Sequence, residues 1–166
     1  MTTRQGARGA ASQPGDADSE PVDFEVLELL SHLLRRAHFY AEAEFAPAYP
    51  GLDVTSRQLA LLFAINRAPG SSQTELAETL GFDLNTLSDL AKRNERKGWL
   101  RRVRSPGDRR AFGLYLTDSG RHLVATANEL TPAYQQRLTA GRLSAREAGQ
   151  LVALLRKMLG LGKTKP

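Results

Sequence analysis

Nine basic residues fall between Lys92 and Arg110 (Lys92, Arg93, Arg96, Lys97, Arg101, Arg102, Arg104, Arg109 and Arg110), against two acidic ones, Glu95 and Asp108. The stretch carries a local net charge of +7, so the rest of the chain sums to −2 of the overall +5. Charge gathered in this way suits neutralisation of a polyanion, because each guanidinium or ammonium group displaces counterions from a phosphate backbone. The plain alternative is a solvated charged face, and only the structural context separates the two. Just upstream sit Asn85, Thr86 and Ser88, short polar side chains that let a helix approach a groove closely and still hydrogen-bond to base edges or phosphates. The alternative for Asn85 and Thr86 is support of a helix cap.

Other chemistries are poorly served. The absence of cysteine removes disulfides, thiolate zinc sites, cysteine nucleophiles and thiol redox sensing together. His32, His38 and His122 are scattered, no phosphate-cradling glycine loop is present, and no nucleophile is placed beside a base. We therefore expect no enzyme activity, no cofactor and no metal. The chain of 166 residues, 41% hydrophobic and 25% charged, has the composition of an ordinary globular protein. Its longest apolar run, Leu59 to Ile65, falls far short of the ~20 residues of a membrane span, and the polar N-terminus lacks a secretory signal. No membrane association and a cytoplasmic location are expected.

The elements that must position the basic segment follow from periodicity and capping. Residues 2 to 20 contain no Val, Ile, Leu, Phe, Tyr or Trp and read as a flexible tail over 1–20. From Pro21, Leu27, Leu30, Leu34, Ala37, Ala41 and Phe45 fall at helical spacing, predicting a long first helix closed by Pro47 and Pro50-Gly51 within a 21–50 segment. Thr55 with Gln58, Ser72 with Glu75 and Ser144 with Glu147 are capping boxes that open helices two, three and six. The third helix is about two turns long and ends at Gly81-Phe82-Asp83. Asp83 caps a fourth, whose inner face is Leu84, Leu87, Leu90 and Ala91 and whose end is marked by Gly98. Trp99 to Arg104 and Arg110 to Leu116 read as hairpin strands around Ser105-Pro106-Gly107-Asp108, with Phe112, Leu114 and Leu116 pointing inward. Thr117 caps a fifth helix that Pro132 should bend or break. The apolar sixth helix, with Leu151, Val152, Leu155, Met158 and Leu159, needs something to cover it.

A short helix, a glycine turn, a longer polar-faced helix and a basic hairpin make a winged helix-turn-helix, which raises nucleic-acid binding above the solvated-face reading. The fold class is mainly α, with a helix-turn-helix and wing over 53–118 flanked by terminal helices, the last over 119–162. The candidate DNA contacts are Ser72, Gln73, Thr74, Asn85, Thr86, Ser88, Lys92, Arg93, Arg102, Arg104, Arg109 and Arg110. Asp89, four residues before Arg93, reads as an intrahelical ion-pair partner. Arg109 and Arg110 follow a Pro-Gly turn that projects them toward a narrow minor groove, with Asp108 as wing support.

Leu76-Ala77-Glu78-Thr79-Leu80-Gly81, Lys97-Gly98-Trp99-Leu100, Asp108-Arg109-Arg110 and Leu116-Thr117-Asp118-Ser119-Gly120-Arg121 together resemble the MarR family of winged-helix transcriptional regulators, over Phe24 to Leu159. The resemblance implies a homodimer interlocked through its first, fifth and sixth helices. Each chain would present Leu84 to Lys97 to a major groove of a double-stranded, pseudo-palindromic DNA operator, and Arg110, held by Asp108, to a minor groove. It further implies a repressor released by a small aromatic or phenolic ligand. The sequence looks most like members that control aromatic-compound degradation or efflux. Members sensing oxidants by cysteine are set aside, as are urate responders with a tryptophan in the first helix, because Trp99 is the one tryptophan.

For that ligand, an aromatic acid or its thioester, the candidate residues are His32, Arg35, Arg36, Phe39, Tyr40 and Arg67, cations to pair a carboxylate or phosphate and rings to stack. Packing and salt bridges at a dimer interface are the competing role for them. The alternative for the whole chain is a winged-helix protein-interaction module without a ligand response.

Overall fold

The computed structural model describes residues 25–104 and 112–162. The tail over 1–20, the hairpin turn with Asp108, and the wing arginines Arg109 and Arg110 lie outside the described residues.

The first helix, α1, spans Leu30–Ala48 and is preceded by a 3-10 turn at Val26–Glu28, with Leu29 in an extended conformation between them. It thus starts later than the apolar spacing predicts. A 3-10 turn also brings residues three apart onto one side, so periodicity runs on past the break in winding. Pro47 does not close α1 but lies in its last turn, where only the Ala43 carbonyl loses a partner, and the helix ends at Ala48.

Helices α2 (Ser56–Arg67), α3 (Gln73–Leu80) and α4 (Leu84–Arg96) follow. Both halves of the capping box are made at α2 and α3, and Asp83 accepts the Thr86 amide at 2.9 Å to open α4. Gly81 and Gly98 take left-handed backbone angles (φ 66° and 74°) that reverse the chain after α3 and α4. The hairpin pairs β1 (Leu100–Arg104) with β2 (Phe112–Leu116), antiparallel, with Leu100 opposite Leu116 and Arg102 opposite Leu114. Leu114 and Leu116 are buried as expected; Phe112 is exposed, beyond the reach of the core, and carries the Arg104 guanidinium over its ring at 5.7 Å.

The other side of β2 is also bonded. Gly70 donates to the Leu114 carbonyl at 2.8 Å and the Leu114 amide donates to Ser71 O at 3.0 Å. Gly113 lies so close to this segment that a Cβ would sit 2.6 Å from the Gly70 oxygen. The α2–α3 connection therefore acts as a third strand without being long enough to count as one.

Helix α5 runs unbroken from Asp118 to Thr139, through Pro132, and α6 spans Ala145–Met158. Thr117 opens α5 by accepting from Gly120 N at 3.1 Å while its own amide donates to the Trp99 carbonyl, also at 3.1 Å. Gly120 rests on that same carbonyl, where any Cβ would overlap the oxygen. This is the physical content of the Leu-Thr-x-x-Gly motif: the first turn of α5 docks on the turn that leaves α4.

One core joins Leu61, Leu62 and Ile65 of α2, Leu76 of α3, Leu87 and Leu90 of α4, the hairpin leucines, and Leu123 and Val124 of α5. A second joins Phe45 and Tyr49 at the end of α1 to Leu59 and Ala127, with Tyr134 packed edge-on against Phe45. Helix α5 thus belongs to both units, its first half in the winged helix and its second half against α1. Arg137 Nη2 at 2.7 Å from Glu44 and Tyr134 donating to Ala41 O at 3.0 Å fasten the latter pair. Among the described residues no helix is long and apolar enough to cross a membrane.

Candidate nucleic-acid interface

Helix α4 turns Leu87, Leu90, Ala91 and Asn94 into the protein and leaves Asn85, Asp89, Lys92, Arg93 and Arg96 exposed; Leu84, expected on the inner face, is 53% exposed at the first position of the helix. Its charges sort by partner. Asp89 pairs with Lys92 at 3.7 Å rather than with Arg93, since a three-residue step also places side chains side by side. Glu95 pairs with Arg102 across to β1 at 3.1 Å. Arg93 and Arg96 have no carboxylate within ion-pair distance among the described residues, so both carboxylates on the exposed face are occupied elsewhere. Lys97 turns away, donating to the backbone and carboxylate of Asp53 at 2.6 and 2.7 Å and lying over the Trp99 ring.

The polar candidates divide in the same way. Asn85 is exposed and Ser88 half-buried, but the Thr86 hydroxyl donates to Asp83 at 2.5 Å and is part of the cap. Ser72 is likewise committed, its hydroxyl donating to Glu75 Oε2 at 2.9 Å; Gln73 is half-buried and Thr74 exposed beside it. Hydrogen bonds from Ser72 and Thr86 hold the Glu75 and Asp83 carboxyls below their ordinary titration range, so both caps are charged at neutral pH. On the hairpin, Arg104 is exposed, whereas Arg102, expected as a DNA contact, is half-buried and paired with Glu95. Arg101, which the sequence reading passed over, is exposed and lies 5.5 Å above the Tyr115 ring.

The ligand candidates do not converge. His32, Arg35, Arg36, Phe39 and Tyr40 share a face of α1, but Arg67 sits at the far end of α2, about 16 Å along that helix from Ser56, where α2 meets α1 through a 2.6 Å bond from Ser56 to Glu42. Its neighbours Ile65 and Asn66 line a crevice with Arg101 and Tyr115 of the hairpin instead. Tyr40 is engaged, donating to Arg137 O at 3.1 Å with the Arg142 guanidinium above its ring.

The groove that joins α1 to the winged helix is lined by other residues. One section, of about 410 Å³, has Glu42, Arg57, Thr86, Asp89 and Arg93 on its walls; the adjoining section, of about 420 Å³, adds His38, Phe82 and Asp83. Arg57 carried a signal that was available in the sequence. It stands in the first turn of α2, where the helix dipole disfavours a cation, so its presence there needs another reason.

The geometry has counterparts in known proteins. The sequence model of the MarR family matches residues 52–111. The chain is 31% identical over 148 residues to the HTH-type transcriptional repressor NicR of Pseudomonas putida, covering 88% of this chain and 92% of that protein. The transcriptional repressor CouR, solved bound to a 23-mer DNA duplex, superposes with a TM-score of 0.75 at 30% identity, covering 83% of this chain and 99% of CouR. BpsR of Bordetella bronchiseptica, solved to explain how 6-hydroxynicotinic acid regulates its DNA binding, superposes with a TM-score of 0.72 at 29% identity, covering 78% of this chain and 98% of BpsR. With the helix-turn-helix, the hairpin and the flanking helices all in register with such proteins, this chain belongs to the MarR family of winged-helix transcriptional regulators.

Proposed function

We propose that the protein is a homodimeric repressor that holds a pseudo-palindromic operator through α4 and the hairpin and releases it when a small aromatic acid binds. The observation that carries this reading is the state of α4: its exposed face presents Asn85, Arg93 and Arg96, the two arginines with no carboxylate within ion-pair distance among the described residues, while its own carboxylates are neutralised by Lys92 and Arg102. Such a face suits a major groove. Arg109 and Arg110, steadied by Asp108, complete the interface in the minor groove.

Dimerisation is supported by apolar surface that the chain does not cover by itself. Not one residue of α6 is buried, and Leu151, Val152, Leu154 and Met158 are exposed together with Leu30, Leu33 and Phe39 of α1. An apolar cavity of about 500 Å³ between α1, α5 and α6, with Leu138, Leu151 and Val152 on its walls, provides a seat for a helix of the second copy. Two-fold symmetry then sets the half-sites about 10 base pairs apart, centre to centre.

For the ligand, the groove between α1 and α4 is the better seat than the α1 stripe. It offers Arg57 and Arg93 to a carboxylate and the half-buried Phe82 ring to an aromatic group, and it borders the recognition helix, so occupancy and DNA contact compete. Fluorescence anisotropy against the duplex upstream of the protein's own gene, a shuffled control and a pool selected from random sequence tests the reading. Tight, selective, steeply salt-dependent binding that 6-hydroxynicotinic acid or a related aromatic acid reverses is expected. Equal weak binding to every duplex refutes the repressor.

A further inference from the structure

A carboxylate inside a DNA-facing basic segment opposes binding unless something neutralises it, and Glu95 sits near the start of that segment. Its partner Arg102 comes from the hairpin, with Nε 3.1 Å from Glu95 Oε2. The Arg102 Nε and Nη2 atoms are buried and make no hydrogen bond among the described residues, so the contact with Glu95 is an ion pair without a directed bond; with the side chain only 25% exposed, this guanidinium is not available to a phosphate in the way that Arg104 is.

The two elements so joined are otherwise linked by a short connection. Only Lys97, Gly98 and Trp99 separate α4 from β1, and Gly98 provides a left-handed turn there. The base of the hairpin is fixed by the buried Leu100, Leu114 and Leu116 and by the bonds of β2 to Gly70 and Ser71. Apart from the β1–β2 ladder itself, the backbone bonds that anchor the hairpin act on β2 or on Trp99, just before β1. From Leu100 to Arg104, β1 extends about 13 Å, and Glu95–Arg102 is the one ion pair tying that length to α4 among the described residues. A change of roughly 10° at the base moves Arg104 by about 2 Å, more than a hydrogen bond tolerates.

The geometry points to Glu95 and Arg102 as positioning residues that set the angle between recognition helix and wing, so that both reach their grooves at once. This rests on the operator-binding reading above. It assigns an acidic residue of the basic segment a favourable part in DNA binding.

The sign of one substitution tests it. In Glu95→Gln the fold persists, because the pair is partly exposed and the hairpin core is untouched. Hydrogen exchange of the β1 and β2 amides is expected to quicken in the DNA-free protein, and operator binding to weaken about fivefold at matched salt. If Arg102 were a contact merely restrained by Glu95, removing the carboxylate would free a cation and tighten binding; tightened or unchanged binding overturns the inference. Glu95→Gln raises the net charge by one and Arg102→Gln lowers it by one, so quickened exchange of the same amides in both variants is expected from loss of the pair and not from altered net charge; wild-type protection in either variant overturns the inference. Failure of the wild-type protein to select any duplex overturns the operator reading and this inference together, whereas wild-type binding with an unaffected E95Q overturns the inference alone.

Discussion

Gly120→Ala puts a single methyl group where the structure leaves no room. Its Cβ would overlap the Trp99 carbonyl oxygen and lie 2.8 Å from the carbonyl carbon, and both atoms are backbone, unable to swing aside as a side chain would. Forcing such a contact costs about 1–3 kcal/mol as overpacking. Displacing the carbonyl also disturbs the Thr117 cap, which uses the Trp99 and Gly98 oxygens, for about 1 kcal/mol more. Alanine returns up to about 1 kcal/mol through its better helix propensity. The net loss is about 2 kcal/mol, or a melting temperature lower by about 4–8 °C for a chain of this size. Thermal melts of Gly120→Ala and of the exposed neighbour Ser119→Ala, at one protein concentration because self-association shifts the midpoint, separate the effects. The serine variant should stay within about 0.5 kcal/mol of wild type. A Gly120→Ala protein that melts with it, or above it, refutes the close approach as the reason for glycine.

Three further outcomes are expected. Arg93→Ala should weaken operator binding by about 1–3 kcal/mol and relax the preference at one base position, whereas Lys92→Ala should weaken all sequences alike and lower the salt slope by about one, as read by anisotropy at several salt concentrations. Leu151→Glu with Val152→Glu should shift sedimentation from dimer to monomer, and a dimer that persists would remove α6 from the interface. Glu75, Asp83 and Glu147 titrate below their ordinary values of 4.5, 3.8 and 4.5 because each accepts cap hydrogen bonds, from Ser72, Thr86 and Ser144. Their stabilisation is therefore complete above those values and lost as pH falls through the lowered ones. Denaturant titrations of Asp83→Asn should show a shallower acid limb than wild type, and parallel limbs would contradict this.

Caps and core were the most legible features, because both are written in short local patterns. Thr55 with Gln58 and Ser72 with Glu75 need only a three-residue step, and the two boxes open α2 and α3 at the residues that the spacing predicts. Burial of Leu87, Leu90 and Leu114 followed from period alone. What escaped was information held between elements. The partner of Arg102 comes from α4, the Glu42–Ser56 bond spans two helices, and the bond from Gly70 to Leu114 crosses forty-four positions of the chain. No local rule weighs such pairings. Strand alternation places Phe112 on the inward face, but alternation gives the face, not how far along that face the core extends. Arg67 shares charge and helical setting with the α1 candidates, but the length of α2 separates it from them.

The bonds from Gly70 and Ser71 to β2 have a mechanical consequence. Ser72, the cap of α3, is the very next residue, so the turn before the helix-turn-helix and the base of the wing are stitched at one place. With Gly120 wedged on the α4–β1 turn and Glu95 paired with Arg102, the reading head is clamped front and back and has little capacity to reshape itself internally. The remaining freedom lies in α5, which carries the head on its first half and the stalk on its second. An effector would then work as a hand works a pair of callipers, leaving the tips as they are and changing the gap between them.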